Sequence, residues 1–505
     1  MPSGVPQLAA RGPSDWGRPH CSIPCRVKSL CCDNIKTMTK TITRKQYLEG
    51  FYKILFSLAV PIILQNLMQT FVNMLDTIMV GRLGSVEIAA VGLGNQIYFM
   101  LSMVSFGVSS GCAIFVSQFW GQNNIKGIRH TTGIMLLACG LCSIVFCILA
   151  FCVPELLLGF YSKDPAVIER GIPYLKIVAF SYPLTAISFA YQMSFRATEH
   201  VYLPMVCTAV SLVLNVILNT LLIFGISVNA GSLIFAIPAM GVAGAALATL
   251  ICRVVEFLIV VIYSYSRKFE ACGSFKELLG FDSAFVWKVF KTAFPVLISE
   301  TMWGFGITVQ NAIFARSGTD AIAAYNITNT ISQLTWVFFI GMGNASAIIL
   351  GKKIGARDFE GAKAYVYRFT WFMPLAGAII GLLLFPLSRV LPYFFNVDFS
   401  IIQIARSMIY VLMSVYALRA FNMLLIVGVC RAGGDTIFSL LIDSGFMWAA
   451  SIPLGVCAAF LWNWPPYAIM LMLESEQVLK MVFGLWRIYT GKWLHVLTDE
   501  KSAAV

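Results

Sequence analysis

Four polar side chains lie at helical spacing within one apolar stretch near the start of the chain. Asn66, Gln69, Asn73 and Asp76 are separated by three, four and three residues, and side chains so spaced share one face of a helix. Amides often hydrogen-bond between helices in lipid, but a carboxylate there usually faces a cavity or an ion path. We therefore expect Asp76 to bind a cation, and the three amides to line the cleft that the cation enters.

Asp76 is the strongest of these signals because its placement has a cost. A carboxylate at the centre of a spanning helix costs roughly 2.5–3.5 kcal/mol on insertion scales. Pro61 lies about four helical turns before Asp76, and a proline removes one backbone hydrogen bond and kinks a helix. We expect either a kink that responds to the charge of Asp76 or, more simply, the start of the membrane helix at Pro61.

Polar residues elsewhere in the first half could complete a cation site. Asn215, Asn219 and Thr249 lie in later apolar stretches and offer oxygen ligands, with simple helix packing as the alternative. Arg253 and Glu256, three residues apart, are expected to pair with each other and to serve the structure.

The second half has charged candidates of its own. Glu300 has no obvious local partner, so we expect it to take part in cation coupling. Asp443 could pair with Arg419, which would be a structural role, or stand in the cleft. The sequence leaves both possibilities open.

Membrane helices are the elements that must position these residues. Of the 505 residues, 58% are hydrophobic and 12% charged, whereas about 25% are charged in an ordinary soluble protein. A run of roughly 20 apolar residues is enough for one span. We expect an all-α polytopic membrane protein with about twelve spans, near 54–80, 90–118, 132–153, 173–195, 204–226, 240–264, 289–314, 323–350, 366–386, 405–430, 436–459 and 467–486.

Basic residues predict the orientation of these spans. Cytoplasmic loops hold the excess of Lys and Arg, and the connections on one side carry 21 of them against seven on the other. Both termini are therefore expected on the cytoplasmic side of a plasma or inner membrane. The net charge of +12 then indicates anionic lipid as a partner and requires no nucleic acid.

Residues 1–37 are expected to be a disordered tail or an over-extended start, because they are rich in Pro, Gly, Arg and Cys and lack an apolar run. The tail contains four cysteines near a histidine: Cys21, Cys25, Cys31, Cys32 and His20. Their spacing matches no common zinc motif. The one metal ion that the sequence leaves open is Na⁺ at Asp76.

The two halves of the chain repeat each other at a constant offset of 234 in the numbering. Identical residues meet at this offset, among them Pro61 and Pro295, Arg82 and Arg316, Gly84 and Gly318, Asn95 and Asn329, Gly107 and Gly341, Gly121 and Gly355, and Asp164 and Asp398. After one insertion, "FRATEH" meets "CRAGGD", so that Arg196 lies opposite Arg431. A unit of about six helices, an even number, gives a parallel repeat whose copies are related by an axis along the membrane normal.

Two pseudo-symmetric six-helix lobes with a cleft between them are the expected architecture, which suits alternating access. The expected boundaries are an N-terminal lobe at 38–264, a cytoplasmic linker at 265–288, a C-terminal lobe at 289–486 and a cytoplasmic tail at 487–505.

Enzymatic functions are disfavoured. The four histidines lie in tails or loops: His20, His130, His200 and His495. The sequence has no Gly-rich phosphate loop joined to Lys and Ser/Thr, so we expect no cofactor and no direct use of ATP.

Five segments resemble the multidrug and toxic compound extrusion (MATE) transporters of prokaryotic type. They are "DTIMVGRLG", "NVILNTLLIFG", "GVAGAALAT", "CRAGGDT" and "GLWRIYTGKW", and the resemblance extends from about Leu48 to the end. It implies twelve helices in two lobes, export of organic cations driven by inward Na⁺ or H⁺, and a cation site in the first lobe. By position, Asp76 matches the family's first-helix acid, Pro61 its kinking proline and Glu300 a seventh-helix acid.

The resemblance also covers the surroundings of the first-helix acid. Asn215 and Thr249 match neighbours of that acid, whereas Asn219 departs from the family, in which many members have Asp. One carboxylate therefore stands where many relatives have two.

The expected function is a secondary active antiporter that works as a monomer. Ionised Asp76 would attract a cation, and H⁺ or Na⁺ would neutralise it; an ion shifts the lobes only by as much as it binds one state better. Aromatic side chains could stack flat hydrophobic cations, or serve packing: Trp303, Trp336 and Tyr416.

Two other functions compete with this one. A lipid-linked oligosaccharide flippase of related two-lobe architecture would require a cationic cleft for pyrophosphate, but acids here at least balance Arg253 and Arg419. A pore would require a re-entrant selectivity loop, which the sequence does not indicate.

Overall fold

A computed structural model describes residues 50–230, 233–390 and 397–499. The candidate zinc ligands and the expected tail 1–37 lie outside these residues. Helices dominate the rest, and the first six that match predicted spans are α1 (Phe51–Gly81), α2 (Ser85–Gly121), α3 (Ile125–Cys152), α4 (the pair Pro165–Ala179 and Ser181–Ala197), α5 (Tyr202–Phe224) and α6 (Gly241–Ser266).

The second half continues with six equivalent helices. They are α7 (Ser283–Arg316), α8 (Thr319–Gly355), α9 (Phe359–Val390), α10 (Phe399–Arg431), α11 (Thr436–Leu461) and α12 (the pair Pro466–Leu473 and Glu476–Thr490). Turns of π-helix interrupt α10 and α11. Two short helices, Pro154–Gly159 and Phe275–Leu279, lie in connections, the second within the expected linker 265–288.

Nine of the described helices are long and apolar enough to cross a membrane, or ten if the two parts of α4, bent by 47°, form one span. Two predicted spans, 289–314 and 467–486, coincide with α7 and α12, which do not meet that measure. Helix α12 is divided into parts of 8 and 15 residues, each too short to cross a membrane alone, and α7 carries the charged Glu300 within its length. The fold is an all-α polytopic membrane protein, as the sequence predicts.

One small sheet stands apart from the helices. Strands β1 (Ile226–Ala230) and β2 (Leu233–Ile237) form an antiparallel hairpin between α5 and α6, with Ile226 opposite Ile237. The sequence does not predict this hairpin.

The repeat seen in the sequence is also present in the backbone. Helices α2 and α8, at Ser85–Gly121 and Thr319–Gly355, begin and end at positions related by the same offset. After each of them the backbone enters the left-handed region, with φ of 55° at Asn123 and 58° at Arg357. The chain therefore folds as two copies of one six-helix lobe.

The two lobes pack together at one end of the bundle, the end at which α1 begins and α2 and α8 finish. We call it the closed end. Phe51 and Leu55 of α1 share an apolar cluster with Ile349 and Leu350 of α8. Among the described residues, the clusters that reach the opposite end, the open end, each draw on a single lobe.

Close backbone approach seals the closed end. A Cβ atom added at Gly121 would overlap the carbonyl oxygen of Lys352, and one added at Gly355 would overlap that of Gln118. These two glycines are repeat partners, so the same contact is made twice. Lys352 also forms an ion pair with Glu199 of the other lobe, with 2.7 Å between Nζ and Oε2.

The segment after α12 lies between the lobes at the closed end rather than projecting away as a tail. The side-chain amide of Gln118, in α2, donates to the carbonyl oxygens of Ala432 and His495, both at 3.1 Å, and its oxygen accepts from the Leu497 backbone N–H at 2.8 Å. Trp493 is 1% exposed within the cluster that joins α1 and α8. Residues 491–499 thus link the first lobe to the second.

Trp493→Ala should destabilise the protein by roughly 3–5 kcal/mol, the usual cost of truncating a buried aromatic. The measurement is the Tm of the purified protein. Trp486→Ala is the matched control, because Trp486 lies seven residues earlier and is 52% exposed. An equal Tm for the two variants would contradict the packing of 491–499.

Candidate functional site

A cavity of about 560 Å³ lies inside the first lobe. Helix α1 forms one wall with Asn66, Gln69, Asn73 and Asp76, and all four line the cavity. The predicted polar stripe therefore faces one space, as its spacing indicates. Asn215 of α5 and Thr249 of α6 line the same cavity.

The carboxylate of Asp76 is held by neutral amides. Asn219 Nδ2 donates to Asp76 Oδ1 at 2.5 Å and to Asn215 Oδ1 at 3.1 Å. Asn219 is fully buried and its own Oδ1 has no hydrogen-bond partner among the described residues. Thr249 lies on the wall, but its hydroxyl donates to the backbone oxygen of Ala245.

Asp76 is not at the centre of its helix, contrary to the sequence-based premise. Helix α1 runs from Phe51 to Gly81, so Asp76 is five residues from its end and Asn66 is at its midpoint. The rise of 1.5 Å per residue puts Asp76 about 15 Å from that midpoint. The carboxylate therefore lies towards the open end, where charge is less costly than at the bilayer centre.

Pro61 does not start the membrane helix. It lies inside α1, ten residues after the first one, and is buried. The next turn packs across the lobe boundary, since a Cβ at Gly341 of α8 would overlap Ile63. Pro61 is thus placed where α1 meets the second lobe.

A chain of buried polar groups crosses the cavity wall nearer the closed end. Arg196 donates to Gln65 Oε1 at 2.6 Å, Gln65 donates to Gln192 Oε1 at 2.8 Å, and Gln192 donates to Glu256 Oε1 at 2.8 Å. Arg253 completes the chain by pairing with Glu256 at 2.7 Å, which confirms the expected pair.

Sequence reasoning misses Gln65, Gln192 and Arg196 in this chain. It counts Arg196 and Arg431 with the basic loop residues, but they are only 8% and 3% exposed. Without the two, the loop count is 19 against seven, which still predicts the same orientation. The match of "FRATEH" with "CRAGGD" is the available signal, because it pairs these two arginines.

The second lobe buries its own charged cluster. Arg431 Nη1 lies 2.5 Å from Glu300 Oε1, and its Nη2 lies 3.8 Å from Asp443 Oδ2. Lys480 bridges Asp443 and Glu476, at 3.0 Å from each. Glu300, which has no obvious local partner in the sequence, therefore has a partner that is distant in sequence.

Arg419 does not pair with Asp443. Its guanidinium binds the carboxylate of Glu474 through two nitrogens and donates to the Ser332 hydroxyl at 3.1 Å. Asp443 instead accepts from Lys480 and from the Ser299 hydroxyl, the latter at 3.2 Å. Sequence reasoning misses the pairing because Glu474 comes from α12, which folds back on α10.

The aromatic candidates of the second lobe fall into two groups. Trp303 and Trp336 stack on each other, with ring centroids 6.1 Å apart and planes at 12°, and both are half-buried. Tyr416 is fully buried and its hydroxyl bonds to Thr335 at 2.8 Å. Tyr416 therefore packs in the apolar interior of the second lobe.

Comparison with known proteins agrees with the repeat. The model of the MatE family matches residues 61–221 and again 295–457, and the starts of the two matches, Pro61 and Pro295, are repeat partners. Similar proteins include the probable multidrug resistance protein YoeA of Bacillus subtilis, 23% identical over 82% of this chain and 88% of its own length. Another is the probable multidrug resistance protein NorM of Thermotoga maritima, 22% identical over 92% and 98%.

Solved structures share the architecture. A variant of the Vibrio cholerae MATE transporter VcmN superposes with a TM-score of 0.80 at 17% identity, covering 90% of this chain and all of that one. A MOP superfamily transporter of Pyrococcus furiosus, described as having a binding pocket of reversed polarity, gives 0.78 at 17% identity over 88% and 98%. At these identities the likeness shows the two-lobe fold alone.

Lys480→Met should destabilise the protein by roughly 3–5 kcal/mol, because removing one partner leaves buried charge uncompensated. Glu476 would lose the cation that it pairs with, and Asp443 would keep only its longer contact with Arg431, at 3.8 Å. Thermal unfolding would measure the effect, with Lys492→Met at an exposed position as the control. If both variants unfolded at the wild-type temperature, the ion pairs of Lys480 would not be holding the second lobe together.

Proposed function

The chain belongs to the MatE family of membrane transporters, and on that premise we propose that it is a secondary active antiporter. It exports organic compounds, mostly cationic and hydrophobic, in exchange for inward H⁺ or Na⁺. One observation carries the proposal: Asp76 is a carboxylate on the wall of a cavity, and it takes part in no ion pair of the described residues. An unpaired acid in such a place is suited to bind a cation.

The direction of export follows from the charge of the loops. The closed end carries Lys53, Lys126, Lys352 and Lys353, so the positive-inside rule assigns it to the cytoplasm. The arrangement is then outward-facing, with the lobes sealed at the cytoplasm and both termini on that side. Export requires the lobes to rock apart at the closed end, which suits a parallel repeat.

Asn219 can hydrogen-bond to Asp76 whether the carboxylate is ionised or protonated. An ionised carboxylate accepts a hydrogen bond from the Asn219 amide, as observed at 2.5 Å. A protonated Asp76 would donate its hydroxyl to the same residue after a flip of the amide, whose oxygen is otherwise without a partner among the described residues. One neutral residue thus satisfies either state, which favours H⁺ as the coupling ion.

Na⁺ is the less favoured ion because this site has one carboxylate where many members of the family have two, so it offers less negative charge to a metal cation. Asp76 supplies the one carboxylate at this point, and Asn215 and Asn219 supply neutral oxygens. Thr249 would contribute a hydroxyl oxygen.

Glu300 is assigned a second coupling role in the other lobe. Its cluster contains three acids, Glu300, Asp443 and Glu476, but two cations, Arg431 and Lys480. Acids exceed cations by one, so if Glu300 or Glu476 holds a proton, Arg431 and Lys480 each still have an ionised acid in Asp443 or in their other partner. The cluster is therefore capable of accepting H⁺ while it remains folded.

The substrate space is the first-lobe cavity. Its wall combines the amides of Asn66, Gln69 and Asn73 with the aromatic rings of Tyr98 and Phe99. Flat cations can stack on such rings, and the amides can bind polar groups. The stacked pair in the second lobe, Trp303 and Trp336, is a further aromatic surface for the substrate in the cleft.

Asp76→Asn should abolish ion-coupled export while leaving the protein folded. The amide is of similar size and adds to a stripe that is already polar, but it cannot be neutralised by an ion. We expect the rate of dye efflux from proteoliposomes under an imposed ion gradient to fall by at least about tenfold. Asp320→Asn makes the same chemical change at an exposed position and should keep the wild-type rate. Efflux by Asp76→Asn at the wild-type rate would remove Asp76 from the coupling site.

Separately imposed gradients should identify the ion. With the wild-type protein, a pH gradient alone should drive dye transport, and a Na⁺ gradient at equal pH should not, because the site offers one carboxylate and a flipping amide. Proteoliposomes loaded with ethidium provide the measurement. Transport driven by Na⁺ alone would show that Asp76 and its amides coordinate Na⁺ after all.

A further inference from the structure

We propose that Arg196 forms an anion-binding subsite at the inner end of the first-lobe cavity, and that the exported compounds carry a carboxylate or phosphate group in addition to their cationic group. This inference rests on the proposed export function and specifies the substrate class.

Arg196 is a buried guanidinium that lacks a carboxylate partner among the described residues. It is 8% exposed and lines the cavity. Its contacts within that part of the chain are Gln65 Oε1 at 2.6 Å and the sulfur of Met193 at 3.9 Å, and its Nε–H has no acceptor there. A buried charge is costly unless it is paired, so a ligand anion would relieve a real deficit.

Arg431, the repeat partner of Arg196, differs from it in having carboxylate partners. Arg431 is buried at the equivalent position and contacts two acids, Glu300 and Asp443. Glu300 corresponds, by the offset of the repeat, to Asn66, a neutral residue. The first lobe has therefore kept the arginine without the acid, and it has a cavity through which an anion could reach the arginine from outside.

Two of the charged groups on the cavity wall have no ion-pair partner among the described residues. Four charged residues line it: Asp76, Arg196, Arg253 and Glu256. Arg253 and Glu256 neutralise each other at 2.7 Å. Within the described part of the chain, Asp76 and Arg196 remain as an unpaired acid and an unpaired base.

The two unpaired groups lie at different depths. Gln65, which holds Arg196, precedes Asp76 by about three helical turns on α1, about 16 Å along the helix axis. An elongated zwitterion would satisfy both, with its cationic end towards Asp76 and its anionic end at Arg196. When H⁺ or Na⁺ occupies Asp76, the cationic end loses its partner, which couples ion entry to substrate release.

Guanidinium chemistry selects the kind of anion. The planar group presents its N–H donors in a fork that matches carboxylate and phosphate oxygens. Gln65 accepts from Nη2 and the Met193 sulfur from Nη1. Each of these nitrogens carries a second N–H, so the edge of the fork formed by the two Nη groups is the one that can bind an oxyanion in the cavity. A purely cationic compound would leave this edge without a partner and would be bound less well.

A matched pair of dyes tests the preference. Rhodamine B has a free carboxylate and its ethyl ester is a cation of nearly the same shape. We expect the purified protein to bind rhodamine B more tightly than the ester in fluorescence anisotropy, and Arg196→Gln to reduce the ratio of the two affinities by at least about tenfold. Arg196→Lys keeps the charge and should retain part of the preference. An unchanged ratio in Arg196→Gln would overturn the inference.

A second measurement depends on neither dye nor transport. Benzoate should raise the Tm of the wild-type protein, its neutral analogue benzamide should not, and Arg196→Gln should lose the benzoate effect. A benzoate shift that is absent in the wild type, or equal in Arg196→Gln, would refute the subsite. If inorganic phosphate stabilised the wild type as strongly as benzoate, the site would bind a free anion and the substrate assignment would be wrong.

The two proposals can fail separately. Proteoliposomes that export neither dye, although the protein shows the Arg196-dependent affinity ratio, would refute the export function and leave the anion subsite in place. Export of both dyes with an affinity ratio that does not depend on Arg196 would refute only the subsite.

Discussion

The cost of placing charge inside an apolar bundle organises this structure. A buried ion must be paired, hydrogen-bonded or turned towards a cavity, and the chain uses all three solutions. In the second lobe Arg431 and Lys480 are paired with acids. In the first lobe Asp76 is hydrogen-bonded by Asn219 and faces a cavity. Because each solution fixes the position of several helices, the same constraint that shapes the lobes also creates the site.

The asymmetry between the lobes is the main chemical feature of the protein. Two copies of one backbone carry different side chains at matching positions, with Asn66 in the first lobe where the second has Glu300. The second lobe has become a closed cluster of ion pairs, whereas the first has kept an open space with one acid and one guanidinium that have no charged partner among the described residues. A repeat that preserves its glycines and prolines can thus divide structural and binding duties between its halves.

The contacts between the lobes at the closed end are the ones that would have to change during transport. Gly121 and Gly355 bring α2 and α8 into backbone contact, and Glu199, Lys352 and the segment 491–499 add polar links across the lobes. An ion pair at the surface contributes little, so the packing around Trp493 and the buried amide of Gln118 carry most of the closure. Opening the lobes would have to break these links together.

Patterns between residues near each other in the sequence were enough to predict much of the architecture. The partners of residues that are distant in sequence were determined by the tertiary structure alone. Run length and composition predicted most of the spans, and matching glycines and prolines predicted the repeat, because these signals depend on near neighbours in sequence. The stripe from Asn66 to Asp76 was also readable, since helical spacing alone places it on one face. The hairpin and the bend in α4 could not be predicted, since the sequence patterns of loops and helix breaks are less specific than those of spans.

Glu300 meets Arg431, and Arg419 meets Glu474, across long stretches of chain, so no local pattern could reveal that these acids already have a charged partner. Sequence spacing fixes which face of a helix a residue lies on, but the charge that it meets there depends on which other helix arrives, and that is a property of the folded chain.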